Sequence, residues 1–210
     1  MEISSWLQLV GICLVGAISP GPSFLLVSNN TLSRGIVHGI FTSVTHGCGI
    51  FIWAIFTVVG VSIFILALSY GIHLLETLGI VVLIYIGFRM WRDGGNFETN
   101  IPVNPLKNIS LKVSCLEGFL MALFNPKIPV FFLGIFSQFV SEDATLFQMT
   151  VMVLTATSID ILWYIILSMV MYRLSWNKSI INNLSLAQKV SGIVLILAGI
   201  IFGFRLFQYL

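Results

Sequence analysis

Apolar residues dominate this chain in six long runs, at about 6–27, 39–66, 74–90, 119–139, 147–171 and 190–209, with polar residues gathered between them. A helix needs about 20 consecutive apolar residues to cross a bilayer, so the pattern predicts six transmembrane helices. Two of the runs are broken: Pro20-Gly21-Pro22 interrupts the first and Asn125-Pro126-Lys127 the fourth. Proline inside a helix removes one backbone donor and clashes with the carbonyl four residues earlier. In hydrocarbon the freed groups need partners in protein or in a water-lined cavity. Costly breaks at corresponding places of two halves point to the substrate site of a transporter.

Cutting the chain at its longest polar stretch gives a first three-helix repeat at 1–91, a cytosolic linker at 92–112 and a second three-helix repeat at 113–210. An odd number of spans per half forces the second half into inverted topology. The expected fold is therefore all-α, with six transmembrane helices in two inverted repeats and helices one and four broken. The linker carries Asp93, Gly94, Gly95, Pro102 and Pro105 and reads as a loop, leaving no room for a soluble catalytic domain. One difficulty is depth. With the fourth span starting at Phe119 its break lies too near one end to mirror the first, and a start nearer Leu111 would repair this but submerge Glu117.

Composition agrees with a membrane protein: 58% of the 210 residues are hydrophobic and 9% charged, against about 25% charged in soluble domains. Charge placement sets the orientation. Arg34, Arg89, Arg92, Lys107, Lys112, Arg173, Lys178 and Lys189 fall in or beside the first, third and fifth connections, while the fourth carries Glu142 and Asp143 and only Arg205 lies on that other side. Cytoplasmic loops are enriched in Lys and Arg, so both termini are expected outside. Trp91, Tyr172 and Trp176 then mark the inner interface, and Trp6, Tyr70 and Tyr209 the outer one.

The apolar start is not read as a secretory signal, because a signal opens on a basic segment and only Glu2 is charged here. Cys13, Cys48 and Cys115 lack pair spacing, so they predict packing residues and neither a disulfide framework nor a metal site. Gly35–Gly39 and Gly199–Gly203 have the spacing of close helix contacts, suited equally to packing within one chain and to a homodimer face. Gly47 and Gly49 would let the second span approach a neighbour, the broken first helix being the natural choice.

Three ionisable residues fall inside spans: His46, Lys127 and Asp160. Such residues are costly in a membrane and mark function by default. Lys127 and Asp160 would neutralise each other as an ion pair, either locking two helices or carrying substrate or proton. Asp160 also has Trp163 and Tyr164 within one turn, a carboxylate beside aromatics that suits an ammonium-bearing substrate. For His46, titration near physiological pH competes with a plain hydrogen bond to a neighbouring helix, and the second is favoured. The half-helix opening at Pro22-Ser23 offers an anion site for a carboxylate.

Ser19-Pro20-Gly21-Pro22, Asn30-Thr31-Leu32-Ser33-Arg34-Gly35, Asn125-Pro126-Lys127 and Phe136-Ser137-Gln138-Phe139-Val140 together resemble the LysE/RhtB family of amino-acid exporters. The likeness runs over essentially the whole chain and is nearest the threonine and homoserine exporters. Ser23 stands where the family often has Asp or Asn after Pro-Gly-Pro, and His46 matches no family motif. The resemblance implies efflux of small amino acids across the bacterial inner membrane by proton antiport. The candidate substrate contacts, read from the breaks and from the surroundings of Asp160, are Pro20, Gly21, Pro22, Ser23, Asn30, Asn125, Pro126 and Trp163. Lys127, Asp160 and His46 are the candidates for proton coupling or an ion pair. No cofactor, metal or nucleic acid is implied, and lipid, protons and an amino acid are the expected partners. A charge crossing 100 mV is worth roughly 2.3 kcal/mol, so one coupled proton would drive useful export.

Rival readings are weaker. An intramembrane enzyme would need a nucleophile with a base, or a metal cluster, and the motifs for either are missing. Two further readings are an assembly subunit without transport and a carrier of the same fold for a cation. Asp160 alone is a poor site for a hard divalent ion, which prefers several oxygen ligands.

Overall fold

The computed structural model describes residues 2–67, 71–93, 109–125, 127–141, 143–174 and 178–209. Within them every regular element is a helix: α1 (Ile3–Ile18), α2 (Pro22–Arg34), α3 (Ile36–Ala67), α4 (Gly71–Asp93), α5 (Leu111–Phe124), α6 (Lys127–Phe136), α7 (Leu146–Leu174) and α8 (Lys178–Tyr209). Most of the expected linker, residues 94–108, lies outside the described residues, as do Pro126, Tyr70, Trp176, Glu142 and the side chain of Tyr209.

Two bends organise the chain. Helices α1 and α2 meet at 60° across Ser19-Pro20-Gly21, and α5 and α6 at 55°. Pro22 takes the first position of α2, where a missing N–H costs nothing and the fixed φ already suits a helix. Gly35 ends α2 with φ +101° while its N–H reaches back to Thr31 O, a left-handed closure that favours glycine. A single residue thus separates α2 from the start of α3.

Among the described residues, 36–63, 146–173 and 188–208 are long and apolar enough to cross a membrane, and the two bent pairs bring the number of candidate spans to five. The third expected span falls on α4, which is not among these candidates. The fourth begins at Leu111 rather than Phe119, because Ser110 caps α5 by accepting from the backbone of Lys112. The break therefore falls between two helical halves of comparable length, and Glu117 lies in the first of them.

Polarity is arranged inside out relative to a water-soluble bundle. Phe56, Val81, Leu116, Leu162 and Phe204 face outward, whereas Ser28, Asn30, Thr42, Ser43, Ser114 and Ser168 are fully buried. Helix α3 lies at the centre, packed on α2, α5 and α7, while α4 pairs with α8 and α1 lies on α7. Glycine permits these approaches. A Cβ on Gly47 would strike Ile161 of α7 and one on Gly49 would strike Ala122 of α5, so these glycines serve α7 and α5 rather than the broken first helix. Gly39 packs on Thr31 and Ser168, and Gly199 on Ile84, contacts within one chain.

Candidate functional site

The two breaks meet. Lys127 Nζ, from the start of α6, donates to Ser19 Oγ in the first break at 2.7 Å. Asn125 Nδ2, from the second break, donates to Ser23 Oγ at the start of α2 at 3.2 Å. Asn125 also accepts the Lys127 backbone N–H on its Oδ1, at 3.1 Å, so one amide both starts α6 and ties the broken spans together. Ser19 completes its own bonding toward Met90 Sδ, 3.6 Å away.

Beside these ties lies a cavity of about 60 Å³, room for a few waters at roughly 10–15 Å³ each or a small solute. Ser19, Gly21, Pro22, Ser23, Asn125 and Lys127 come to it from the breaks, His46 from α3, and Asp160 and Tyr164 from α7. Phe131, Phe132, Ile50 and Ala156 make its apolar side. The N-terminal, positive end of the α2 dipole opens onto it. A second cavity of about 430 Å³ shares Pro22, Asn125 and Lys127 and extends past Tyr85 and Arg89 to Gln188. The break residues therefore form a common wall between the two spaces.

Three polar side chains run in line across the first cavity. His46 Nδ1 is 2.8 Å from Asp160 Oδ2, and its Nε2 is 2.9 Å from Ser23 Oγ. Both His46 and Asp160 are buried, at 1% and 7% exposure, which makes a paired and hydrogen-bonded arrangement necessary. Tyr164 meets the imidazole edge-on with ring centroids 5.0 Å apart.

Several expectations are placed differently. The ion pair expected between Lys127 and Asp160 is not found among the described residues. Asp160 is held by His46 and Lys127 by Ser19, because α3 inserts an imidazole beside the α7 carboxylate. His46 hydrogen-bonds neighbouring helices, the role favoured from the sequence, and its partners there are Asp160 and Ser23. Trp163 packs against the apolar cluster of Phe24, Val27, Tyr164, Leu167 and Met171. Its neighbour Tyr164, about 100° further round the helix, lines the cavity instead. Asn30 lies in a separate cluster, donating to Thr42 Oγ1 and Glu117 Oε2 at 3.0 and 2.9 Å. Pro20 is buried in the bend between Ser19 and Gly21. A serine with an adjacent base, which no motif announced, is assembled here from three helices. Cys13 is buried on the cavity wall as a free thiol.

Comparison with known proteins places this geometry in context. The family model described as LysE type translocator matches residues 14–206. The chain is 26% identical over 204 residues to the uncharacterized membrane protein YrhP of Bacillus subtilis, covering 93% of this chain and 97% of that protein. It is 27% identical over 139 residues to a threonine efflux protein of Escherichia coli, covering 66% of this chain and 68% of that one. No solved structure matches it.

Proposed function

The chain belongs to the LysE type translocator family, and from that premise we propose that it exports small amino acids, threonine-like or homoserine-like, across the bacterial inner membrane by proton antiport. The observation that carries the reading is the buried His46–Asp160 pair facing the same small cavity as Lys127 and the start of α2. A zwitterion needs both signs of charge within a few ångströms, and this cavity supplies them. Its ammonium is matched by the Asp160 side and its carboxylate by Lys127 and the α2 dipole. The cavity's size favours a small side chain, and its apolar face of Phe131 and Phe132 suits an aliphatic one.

In this reading the fold is six spans in two inverted repeats, with α4 supplying the third. Both termini and the Arg205 end face outward, and the basic linker lies in the cytosol, so a cysteine placed at position 100 should be shielded from an impermeant reagent in intact cells. The second cavity, with Arg89 at its far side, then opens toward the cytosol and serves as the entry for substrate. A homodimer is compatible with the apolar outer surface. A cation cargo is less well served, since no three His, Cys, Asp or Glu side chains gather among the described residues.

Proteoliposomes loaded with unlabelled amino acid test the proposal. They should accumulate labelled threonine or a close analogue by counterflow, and a pH step should drive net movement. Counterflow of divalent cations with none of any amino acid would replace this reading with the cation carrier. Absence of counterflow for every solute would leave the assembly subunit.

A further inference from the structure

Ser23 Oγ is the point at which the two broken helices and the His46–Asp160 pair converge, and the hydrogens around it can be counted. A carboxylate only accepts, so His46 Nδ1, 2.8 Å from Asp160 Oδ2, carries a hydrogen in both charge states of the ring. Nε2 is then the nitrogen that gains or loses the proton. The amide of Asn125 is fixed as well. Its Oδ1 accepts from the Lys127 backbone N–H, which can only donate, so Nδ2 is the atom that faces Ser23.

A serine hydroxyl has one hydrogen and two acceptor lone pairs. With His46 neutral, Ser23 gives its hydrogen to Nε2, takes the Asn125 donor on one lone pair, and presents the other toward the cavity it lines. With His46 charged, Nε2–H and Asn125 Nδ2–H occupy both lone pairs, and the serine hydrogen is displaced toward the cavity. The oxygen that accepted now donates.

We propose that Ser23 is the contact for the substrate's ammonium and that the proton on His46 reverses its polarity, so that proton and ammonium exclude one another at one oxygen. This rests on the exporter reading above and deepens it. The Coulomb effect acts in the same direction, because the His46–Asp160 pair passes from a net negative charge to neutrality on protonation. The other titratable groups facing the cavity are Tyr164 on α7, Cys13 on α1 and Lys127 on α6. Lys127 is engaged with Ser19.

The test measures binding of labelled threonine, or of whichever amino acid shows counterflow, to wild type, Ser23→Ala and Ser23→Thr in nanodiscs across a pH series. Wild-type affinity should fall on acidification. Ser23→Ala should bind roughly tenfold more weakly at alkaline pH, the worth of one hydrogen bond to a charged group, and the gap to wild type should close at acid pH. Ser23→Thr keeps the hydroxyl and should keep the wild-type response. A gap that is the same at every pH, or Thr and Ala variants that behave alike, overturns the switch while leaving the exporter intact. Absence of amino-acid counterflow by the wild type overturns the exporter reading and this inference together.

Discussion

Arg34, in the last turn of α2, grips both carboxylate oxygens of Glu117 on α5, at 2.7 and 3.1 Å. This fork joins one half of the first bent helix pair to one half of the second, and bidentate pairs are among the stronger charge-assisted contacts. Asn30 and Ser114 complete the cluster by donating to Glu117 and accepting from Arg34. Arg34 is almost fully buried, while about a third of the Glu117 side chain is exposed, at 32%. Removing Glu117 strands a buried guanidinium. Glu117→Ala should therefore lower stability by about 1–3 kcal/mol, read as the thermal unfolding midpoint in detergent. The charge swap Arg34→Glu with Glu117→Arg should recover part of the loss. An unchanged midpoint in the single variant would show that solvent already pairs the arginine.

Helices α4 and α8 touch backbone to backbone at Gly87 and Gly192. A Cβ on Gly87 would lie 2.6 Å from Gly192 O and 2.9 Å from Ile196 N, and backbone atoms cannot swing aside. Gly87→Ala should destabilise the pair by roughly 1–3 kcal/mol as overpacking does. Gly60→Ala, with nothing within 4 Å of its Cβ, should be neutral. Comparing detergent melting of the two variants checks this, and equal midpoints would refute the close approach.

At the first break, Gly21 and Pro22 separate two kinds of requirement. Gly21 has φ −175°, extended backbone that any residue adopts, and open space around its Cβ. Gly21→Ala should insert and fold as wild type, within about 0.5 kcal/mol, so any lost counterflow would report a methyl group occupying the cavity. Pro22→Ala removes the fixed φ that starts α2 and loosens the bend. Its expected result is strongly reduced counterflow at normal membrane abundance. Full activity in Pro22→Ala would mean that tertiary ties such as Asn125–Ser23 hold the bend alone.

The breaks were legible in the sequence because proline leaves a local chemical mark, and their meeting followed from the need of freed backbone groups for partners. Asp160 and Lys127 were legible as costly charges. Their partners were not, since which side chains face each other depends on helix rotation and crossing, which hydropathy does not encode. For the same reason Trp163 stood out in the sequence as an aromatic beside Asp160, while the cavity is lined by Tyr164. His46 looked isolated because its two partners, Ser23 and Asp160, lie 23 and 114 residues away. The Arg34–Glu117 fork was masked by reading Arg34 as a topology signal alone. The early start of α5 could have been found from Ser110, a strong capping residue placed just before a helix-forming run.

Asp160 offers the sharpest test of coupling. Asp160→Asn keeps the shape and a hydrogen-bonding oxygen opposite His46 Nδ1 but removes the charge that stabilises an imidazolium. Insertion should survive, while export driven by a pH gradient should fall by about tenfold or more, roughly 1.4 kcal/mol or more of lost coupling. The partner of Asp160 can be identified by double-mutant cycles, because groups in direct contact couple and separate ones add. His46→Ala combined with Asp160→Asn should be strongly non-additive in pH-driven export. Lys127→Ala combined with Asp160→Asn should be close to additive, as befits a lysine whose observed partner is Ser19. If instead Asp160→Asn rescues a destabilised Lys127→Ala, the two charges form an ion pair during the cycle and the proton site is shared among all three residues.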